Sequence, residues 1–429
     1  MKKIGLVSLG CAKNRVDSEN ILGLLDHNGY QITDNPKEAD IIIVNTCGFI
    51  ESSKRESINT IFDMLSYGKK VIVTGCLAQR YEEELKKEIP EVDFIPIHDY
   101  YRFNDLLRKT DPTFQGCGGL DDNYRILSTE PFTAYLKIGE GCDNRCTYCA
   151  IPLIRGSFVS RPMDEIIKEA KKLASNGVKE IIVLEQDTTK YGIDLHNGEN
   201  IASLLKELLK IKELEYIRLL YLYPDEISDE LIDLIAKEHE RLTPYFDIPI
   251  QHSEDHILKD MHRRGDKALL RNLFTKIRNK VPNAILRTTV MVGFPGETNE
   301  DVNNLKSFIE EIGFDHLGAF TYSKEEGTVS YNFKHQVSKK EKEKRLDLIM
   351  KTQQSISYKR NKVHIGETME GLAIGKENGQ YLLRSYWNAP DDVDGKIYFT
   401  SEEKLHNGDK VKVQIDNAFV YDLSGHLVK

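Results

Sequence analysis

Three cysteines, Cys142, Cys146 and Cys149, stand at a CxxxCxxC spacing in the stretch Gly139-Glu140-Gly141-Cys142-Asp143-Asn144-Arg145-Cys146-Thr147-Tyr148-Cys149. Thiolates ligate both zinc and iron–sulfur clusters, and the spacing helps to separate the two. A structural zinc site takes four donors, commonly from paired CxxC units. Here the first gap is three residues long and the next histidine downstream is His196. Electron-transfer clusters of the cubane type use four cysteines. Three thiolates on one loop suit a cubane whose last iron keeps no protein ligand, leaving that iron open to a substrate or cofactor.

A second set of cysteines arises from topology. Apolar runs at Lys3–Leu9, Asp40–Thr46 and Lys70–Thr74 read as strands, with helices predicted over Ser18–Asn28, Ser52–Leu65 and Arg80–Glu88. Strands alternating with helices imply right-handed βαβ units and a parallel sheet. Cys11, Cys47 and Cys76 each fall at the carboxyl end of one of these strands, the edge where such sheets bind ligands. The residues alone allow two readings, a metal site or three buried core thiols. The seventh cysteine, Cys117, lies among turn formers with no partner at metal spacing and reads as an ordinary free thiol.

The same alternation resumes from Thr133. Strands are predicted at Ala134–Ile138, Glu180–Leu184, Tyr216–Tyr221, Tyr245–Ile250, Ile285–Val292 and His316–Tyr322. Six such units suggest a partial barrel with its site at the carboxyl edge. The CxxxCxxC loop follows the first of them. Three polar segments follow others: Glu185-Gln186-Asp187, Gln251-His252 and Gly293-Phe294-Pro295-Gly296-Glu297-Thr298. Each is open to a structural reading as well: side chains satisfied at strand ends, or a tight turn.

A helix expected over Ser338–Lys362 carries nine basic and three acidic residues, either a solvated face or a contact with RNA or a ribosome. Beyond it, short strands at Glu370–Ile374, Tyr381–Ser385, Ile397–Phe399, Val411–Ile415 and Ala418–Tyr421 suggest a small antiparallel β-barrel. Residues 363–429 hold seven basic and eleven acidic residues, a net charge of −4. An RNA-gripping barrel needs positive charge, so an acidic one suits a basic protein partner. The predicted α/β architecture is therefore an N-terminal parallel-sheet domain (1–115), a linker (116–131), a barrel domain (132–362) and a β-barrel tail (363–429).

The 429 residues carry a net charge of −9, which argues against a general polyanion binder. No apolar run approaches the ~18–20 residues of a membrane span. Lys2-Lys3 ahead of Ile4–Leu9 and Gly10-Cys11 loosely imitates a lipoprotein signal. That apolar run is shorter than the ~7–15 residues of a signal core, so a first strand and a cytoplasmic location are expected. In a reducing compartment the cysteines serve as ligands or core thiols.

The CxxxCxxC loop opening a partial barrel resembles the radical S-adenosylmethionine (SAM) enzymes, and the whole chain resembles the methylthiotransferases within them. That resemblance implies a [4Fe-4S] cluster on Cys142, Cys146 and Cys149 whose open iron chelates SAM. It places Tyr148 against the adenine region and Gln186 near the methionine moiety. It assigns Cys11, Cys47 and Cys76 a second [4Fe-4S] cluster that presents sulfur, and it makes the tail a TRAM domain. Gly10–Glu19 (GCAKNRVDSE) and Ile151–Gly156 (IPLIRG) are similar to the branch that modifies a ribosomal protein. The tRNA branch tends to read GCQMN and VPYTRG at these places.

The implied reaction is methylthiolation of the β-carbon of an aspartate in the twelfth small-subunit ribosomal protein. It consumes two SAM, one cleaved to a radical and one giving its methyl group. A low-potential electron donor and a sulfur donor are implied as partners, and a monomer as the state. The run Arg384–Pro390 (RSYWNAP) departs from the family's RSYADAP at Trp387, which is expected to alter a substrate contact. Modification of a tRNA adenosine, or a non-catalytic iron–sulfur RNA-binding adaptor, are the competing readings.

Overall fold

A computed structural model describes residues 2–100, 102–103, 124–391 and 393–428. Cys117 and the first half of the predicted linker lie outside the described residues. The second half is packed against the N-terminal domain: Ile126 N donates to Glu19 O (3.1 Å), and Ser128 N and Oγ donate to the Glu19 carboxylate.

The N-terminal sheet has five parallel strands: β1 (Lys3–Ser8), β2 (Gln31–Thr33), β3 (Ile41–Thr46), β4 (Lys70–Gly75) and β5 (Asp93–Ile95). Their order is β2-β1-β3-β4-β5. The central runs Ile42–Val44 and Val71–Val73 are buried on both faces, as a parallel sheet covered by helices requires. The edge strands β2 and β5 are three residues each, too short to register as apolar runs. Strand order reverses between β1 and β3, which opens a crevice at their carboxyl ends.

The helices begin earlier than their periodicity predicts. One spans Ala12–His27 with Cys11 as its N-cap residue, and another starts at Cys76 itself. The first two turns of the former bury Lys13, Asn14, Asp17, Ser18 and Glu19. Its inward face is therefore polar, and an apolar-stripe criterion passes over it.

The central domain places β6 (Thr133–Lys137), β9 (Glu180–Leu184), β10 (Tyr216–Leu219), β11 (Tyr245–Asp247), β12 (Ile285–Val292) and β13 (His316–Thr321) in two parallel three-stranded sheets. A short hairpin, β7 (Gly139–Glu140) with β8 (Val159–Ser160), frames the cysteine loop. The seam between β10 and β11 is bridged by Ile217 N to Arg241 O (2.7 Å) and Leu222 N to Asp247 O (2.8 Å). The result is an open, six-stranded partial barrel. β11 ends at Asp247, three residues short of its apolar run, although Ile248 N still donates to Arg287 O (2.9 Å) and Gln251, at φ +69°, bridges to Val290.

The basic helix spans Lys339–Lys362, and part of its charge is structural. Arg345 pairs with the buried Glu297 (2.7 Å), Arg360 with Asp315 (2.7 Å), and Lys342 donates to Tyr322 O (2.8 Å). Asp315 also accepts from Arg278 and from Leu286 N. Burial alone would raise its pKa, but Arg278 and Arg360 hold it below the ordinary carboxylate range. A depressed folded-state pKa contributes stability above the unfolded value and loses it as pH falls through the folded one. Asp315→Asn is therefore expected to cost about 1.5–3 kcal/mol at neutral pH. Thermal melts should show a gap between wild type and variant that is constant near neutrality and closes as pH drops below about 4.

The tail forms a closed barrel of β14 (Thr368–Glu377), β15 (Gln380–Ser385), β16 (Ile397–Thr400), β17 (Lys410–Ala418) and β18 (Leu423–Val428), in the order β14-β15-β16-β18-β17. The expectation of an antiparallel barrel is corrected at one seam, where β16 and β18 are parallel. Five strands in a closed ring cannot all alternate in direction, so at least one pair must be parallel. The last strand is Leu423–Val428; the predicted Ala418–Tyr421 instead turns, with Phe419 N donating to Asp422 O and Phe419 53% exposed.

Trp387 is fully buried, its indole edge-on to His316 at 4.8 Å and its backbone carbonyl accepting from that imidazole (2.8 Å). The substrate contact expected of it is therefore corrected to a packing role between barrel and tail. Among the described residues no helix is long and apolar enough to cross a membrane.

Candidate active site

The loop after β7 holds Cys142, Cys146 and Cys149 at the carboxyl edge of the open barrel. Gly141 (φ +76°) permits the turn into it; a β-carbon there would lie 2.0 Å from Ser157 O. Cys142 N donates to Gly156 O and Cys149 N to Cys146 O, which closes the loop on itself. All three cysteines line a cavity of about 280 Å³ shared with Tyr148, Gln186, Tyr221, Tyr223, Gln251, Arg263 and Arg287. Burial pushes the Cys142 thiol up to about 11 and Cys149 higher, with the neighbouring cysteines adding to the shift. Arg263 stands 4.0 Å from Cys146 Sγ. Among the described residues no three His, Cys, Asp or Glu side chains converge on a single metal ion. A cubane makes no such demand, because each thiolate takes a different iron.

The structure separates the polar segments that the sequence offered. Gln186 and Gln251 line the cavity, and the side-chain carbonyl of Gln251 is buried with no hydrogen-bond partner among the described residues. His252 faces away: fully buried, it accepts from Glu254 N (3.0 Å) and sits 3.3 Å from Glu297. The Gly293–Thr298 turn stays outside the lining but supports it, since Phe294 packs edge-on to Tyr148 at 6.5 Å. Asp187 accepts from Asn144 (2.7 Å) and so braces the cysteine loop. Glu185 is buried, and among the described residues neither of its oxygens has a hydrogen-bond partner. Burial first, then the charges of Asp187 and Glu140, raise its pKa well above the ordinary value.

Topology brings the other three cysteines together. Cys11 caps the helix Ala12–His27, Cys47 follows β3, and Cys76 opens the helix after β4. A β-carbon on Gly10 would meet Cys47 Sγ at 3.2 Å. Asn14 Nδ2 donates to Leu9 O and Thr46 O, and Asn14 Oδ1 accepts from Cys76 Sγ at 3.5 Å, so one side chain ties all three positions. Helix N-termini present partial positive charge at two of the three thiols, which suits a negatively charged centre. Burial raises Cys76 to about 11, with Cys11 and Cys47 among its charged neighbours.

What joins the two sites is a buried ionic cluster absent from the sequence reading. Lys137 and Arg155 of the barrel domain both contact Asp17 (2.7 Å each) and Glu140 (3.2 and 3.0 Å). Arg155 also reaches Asn14 and lies 3.8 Å from Cys76 Sγ. The guanidinium that follows one cysteine loop thus touches a cysteine of the other set. Phe49, just beyond Cys47, reaches the cavity wall beside Ile151 and Cys149.

Comparison with known proteins agrees with this division of the chain. A family model described as uncharacterized protein family UPF0004 matches residues 3–96, the radical SAM superfamily matches 136–309, and the TRAM domain matches 365–428. The solved radical SAM methyltransferase TsrM from Kitasatospora setae superimposes with a TM-score of 0.56 at 14% identity, covering 74% of this chain and 73% of that one, a likeness of fold alone. Barrel and cysteine loop together define a radical SAM enzyme, a class whose chemistry rests on an iron–sulfur cluster and SAM. Two relatives carry the name ribosomal protein uS12 methylthiotransferase RimO. One, from Thermoanaerobacter sp. (strain X514), is 45% identical over 99% of this chain and all of its own. The other, from Aquifex aeolicus, is 48% identical over 99% of this chain and 96% of its own. The chain belongs to the uS12 methylthiotransferase family, RimO.

Proposed function

We propose that this protein replaces a β-hydrogen of an aspartate in ribosomal protein uS12 by a methylthio group, using two iron–sulfur clusters and SAM. The observation that carries the reading is the pair of three-thiol sets, each without a fourth cysteine beside it among the described residues. Cys142, Cys146 and Cys149 are the proposed ligands of one [4Fe-4S] cluster, and Cys11, Cys47 and Cys76 of the other. When bound, the first supplies reductive cleavage of SAM, and the second supplies sulfur. Everything else asked of the chain is positioning, because abstraction from an unactivated carbon depends on holding donor and acceptor in near-attack geometry.

Tyr148, braced by Phe294, offers a flat apolar face for the adenine of SAM, and Gln186 offers amide hydrogen bonds for its methionine end. Tyr221 and Tyr223 wall the cavity and limit the entry of water. The buried cluster of Asp17, Lys137, Glu140 and Arg155 sets the distance between the two sites. In the acidic tail, Glu402, Glu403 and Asp416 remain exposed to meet a basic ribosomal protein. The protein is proposed to work as a cytoplasmic monomer served by a low-potential electron donor and a sulfur donor.

The test is anaerobic reconstitution with SAM and a reductant, offering uS12 and tRNA in parallel. The expected result is a mass gain of one methylthio group on the uS12 aspartate. Product on tRNA adenosine would move the chain to the tRNA-modifying activity. Absence of 5′-deoxyadenosine altogether would favour a non-catalytic adaptor.

A further inference from the structure

Lys13 is in an unusual electrostatic position. It is the second residue of the helix Ala12–His27, where the helix dipole disfavours a cation. It is only 4% exposed, so its charge has also lost most of its hydration. Among the described residues its ammonium makes neither a hydrogen bond nor an ion pair. Its one polar contact is with the face of the Tyr221 ring, 4.3 Å from the centroid, and the same ring lines the cavity shared by Cys142, Cys146 and Cys149. Two residues before Lys13 stands Cys11.

The other cations near the cavity are already engaged. Arg287 is held by Asp247 (2.6 Å) and Asp394 (3.4 Å). Arg263 donates to Pro249 O and stacks over Tyr223 at 4.1 Å. Lys137 and Arg155 are shared between Asp17 and Glu140. The charged groups that act on Lys13 are Cys11, Glu140, Arg155 and Glu185; Glu140 is engaged by Lys137 and Arg155, and among the described residues neither Glu185 oxygen has a hydrogen bond. A desolvated, unpaired ammonium at the wrong end of a helix is stabilised once an anion joins it.

Resting on the function proposed above, we propose that Lys13 binds the side-chain carboxylate of the substrate aspartate and so selects an acidic residue. The β-carbon of an aspartate is bonded directly to its carboxylate carbon. A charge-assisted contact of about 2.8 Å therefore fixes that β-carbon within about 4–5 Å of the ammonium. That places the reacting carbon between the Cys11 side of the molecule and the cavity of the CxxxCxxC loop, where both sites can act on it. The chemistry is charge recognition of a carboxylate, and SAM carries a carboxylate too, so the experiment has to tell the two sources apart.

Reconstituted wild type, Lys13→Met and Lys13→Arg are compared for binding and KM with uS12 and with uS12 whose target aspartate is asparagine. SAM affinity and the electron paramagnetic resonance spectra of the clusters are recorded alongside. Wild type is expected to prefer the aspartate form by about 10- to 100-fold, the range of a hydrogen bond to a charged group. Lys13→Met should lose that preference while SAM affinity and cluster spectra stay as in wild type, and Lys13→Arg should restore most of it. The proposal is overturned if Lys13→Met discriminates as wild type does, or if its defect is confined to SAM affinity or to the cluster spectra. It also falls if wild type binds both forms of uS12 equally. If wild type modifies tRNA in place of uS12, the function reading itself fails; modification of uS12 with unchanged discrimination in Lys13→Met removes only the assignment to Lys13.

Discussion

Alanine at Cys142, Cys146 or Cys149 is expected to abolish both 5′-deoxyadenosine and the methylthio product. Alanine at Cys11, Cys47 or Cys76 is expected to leave 5′-deoxyadenosine forming while the methylthio product disappears. The division follows from where the two sets sit. The first lines the cavity beside Tyr148 and Gln186, the side chains assigned to SAM. The second belongs to a different sheet, joined to the cavity through Phe49, Tyr221 and the Arg155 cluster. Chromatography of the nucleoside and mass spectrometry of uS12 read the two outcomes separately. Loss of 5′-deoxyadenosine in a Cys47→Ala protein that retains its barrel cluster would show that the sites are not divided in this way.

The second large effect is structural. Arg155→Met is expected to destabilise the contact between the N-terminal and barrel domains by about 3–5 kcal/mol, the usual cost of stranding a buried charge. Asp17 and Glu140 would then share only Lys137, and Asn14 would lose the guanidinium that fixes it between the cysteines. The double variant Asp17→Leu/Arg155→Met leaves Lys137 and Glu140 as a matched pair, 3.2 Å apart. It should therefore recover part of the loss, a non-additivity that a double-mutant cycle measures. Differential scanning calorimetry of all four proteins gives the comparison. Strict additivity would mean that the cluster is not a single electrostatic unit.

How legible these features were depended on their range in sequence. Cys142, Cys146 and Cys149 were readable because their chemistry is written in eight consecutive residues. Cys11, Cys47 and Cys76 were readable only through strand ends, since parallel topology carries distant residues to one edge. Elements without an apolar signature were missed: β2 and β5 are too short, and the early turns of the Ala12–His27 helix bury polar groups. The parallel seam of the tail follows from closing an odd number of strands: five strands were already countable in the sequence, but the ring that joins β16 to β18 is a tertiary contact with no local pattern. His252 and Gln251 are adjacent in sequence, yet one is packed away and the other lines the cavity, and both read alike as polar residues at a strand end.

The interface was the least legible part. Asp17 meets Lys137 and Arg155 across more than a hundred residues, and each looks like an ordinary surface charge until the domains are packed. Lys13 carried the same ambiguity. Its position two residues from Cys11 was visible, but its burial and, among the described residues, the absence of an ion pair to it were not. Trp387 shows the converse error, a residue that stood out in the sequence and proved to be core.

The claim on which the rest depends is that each three-cysteine set holds its own cluster. Iron and acid-labile sulfide are to be counted per chain in anaerobically reconstituted wild type and in a variant with alanine at Cys11, Cys47 and Cys76, with Mössbauer spectra to assign the iron. About eight irons in wild type and about four in the variant, all of cubane type, are predicted. About four irons in both proteins would contradict the account.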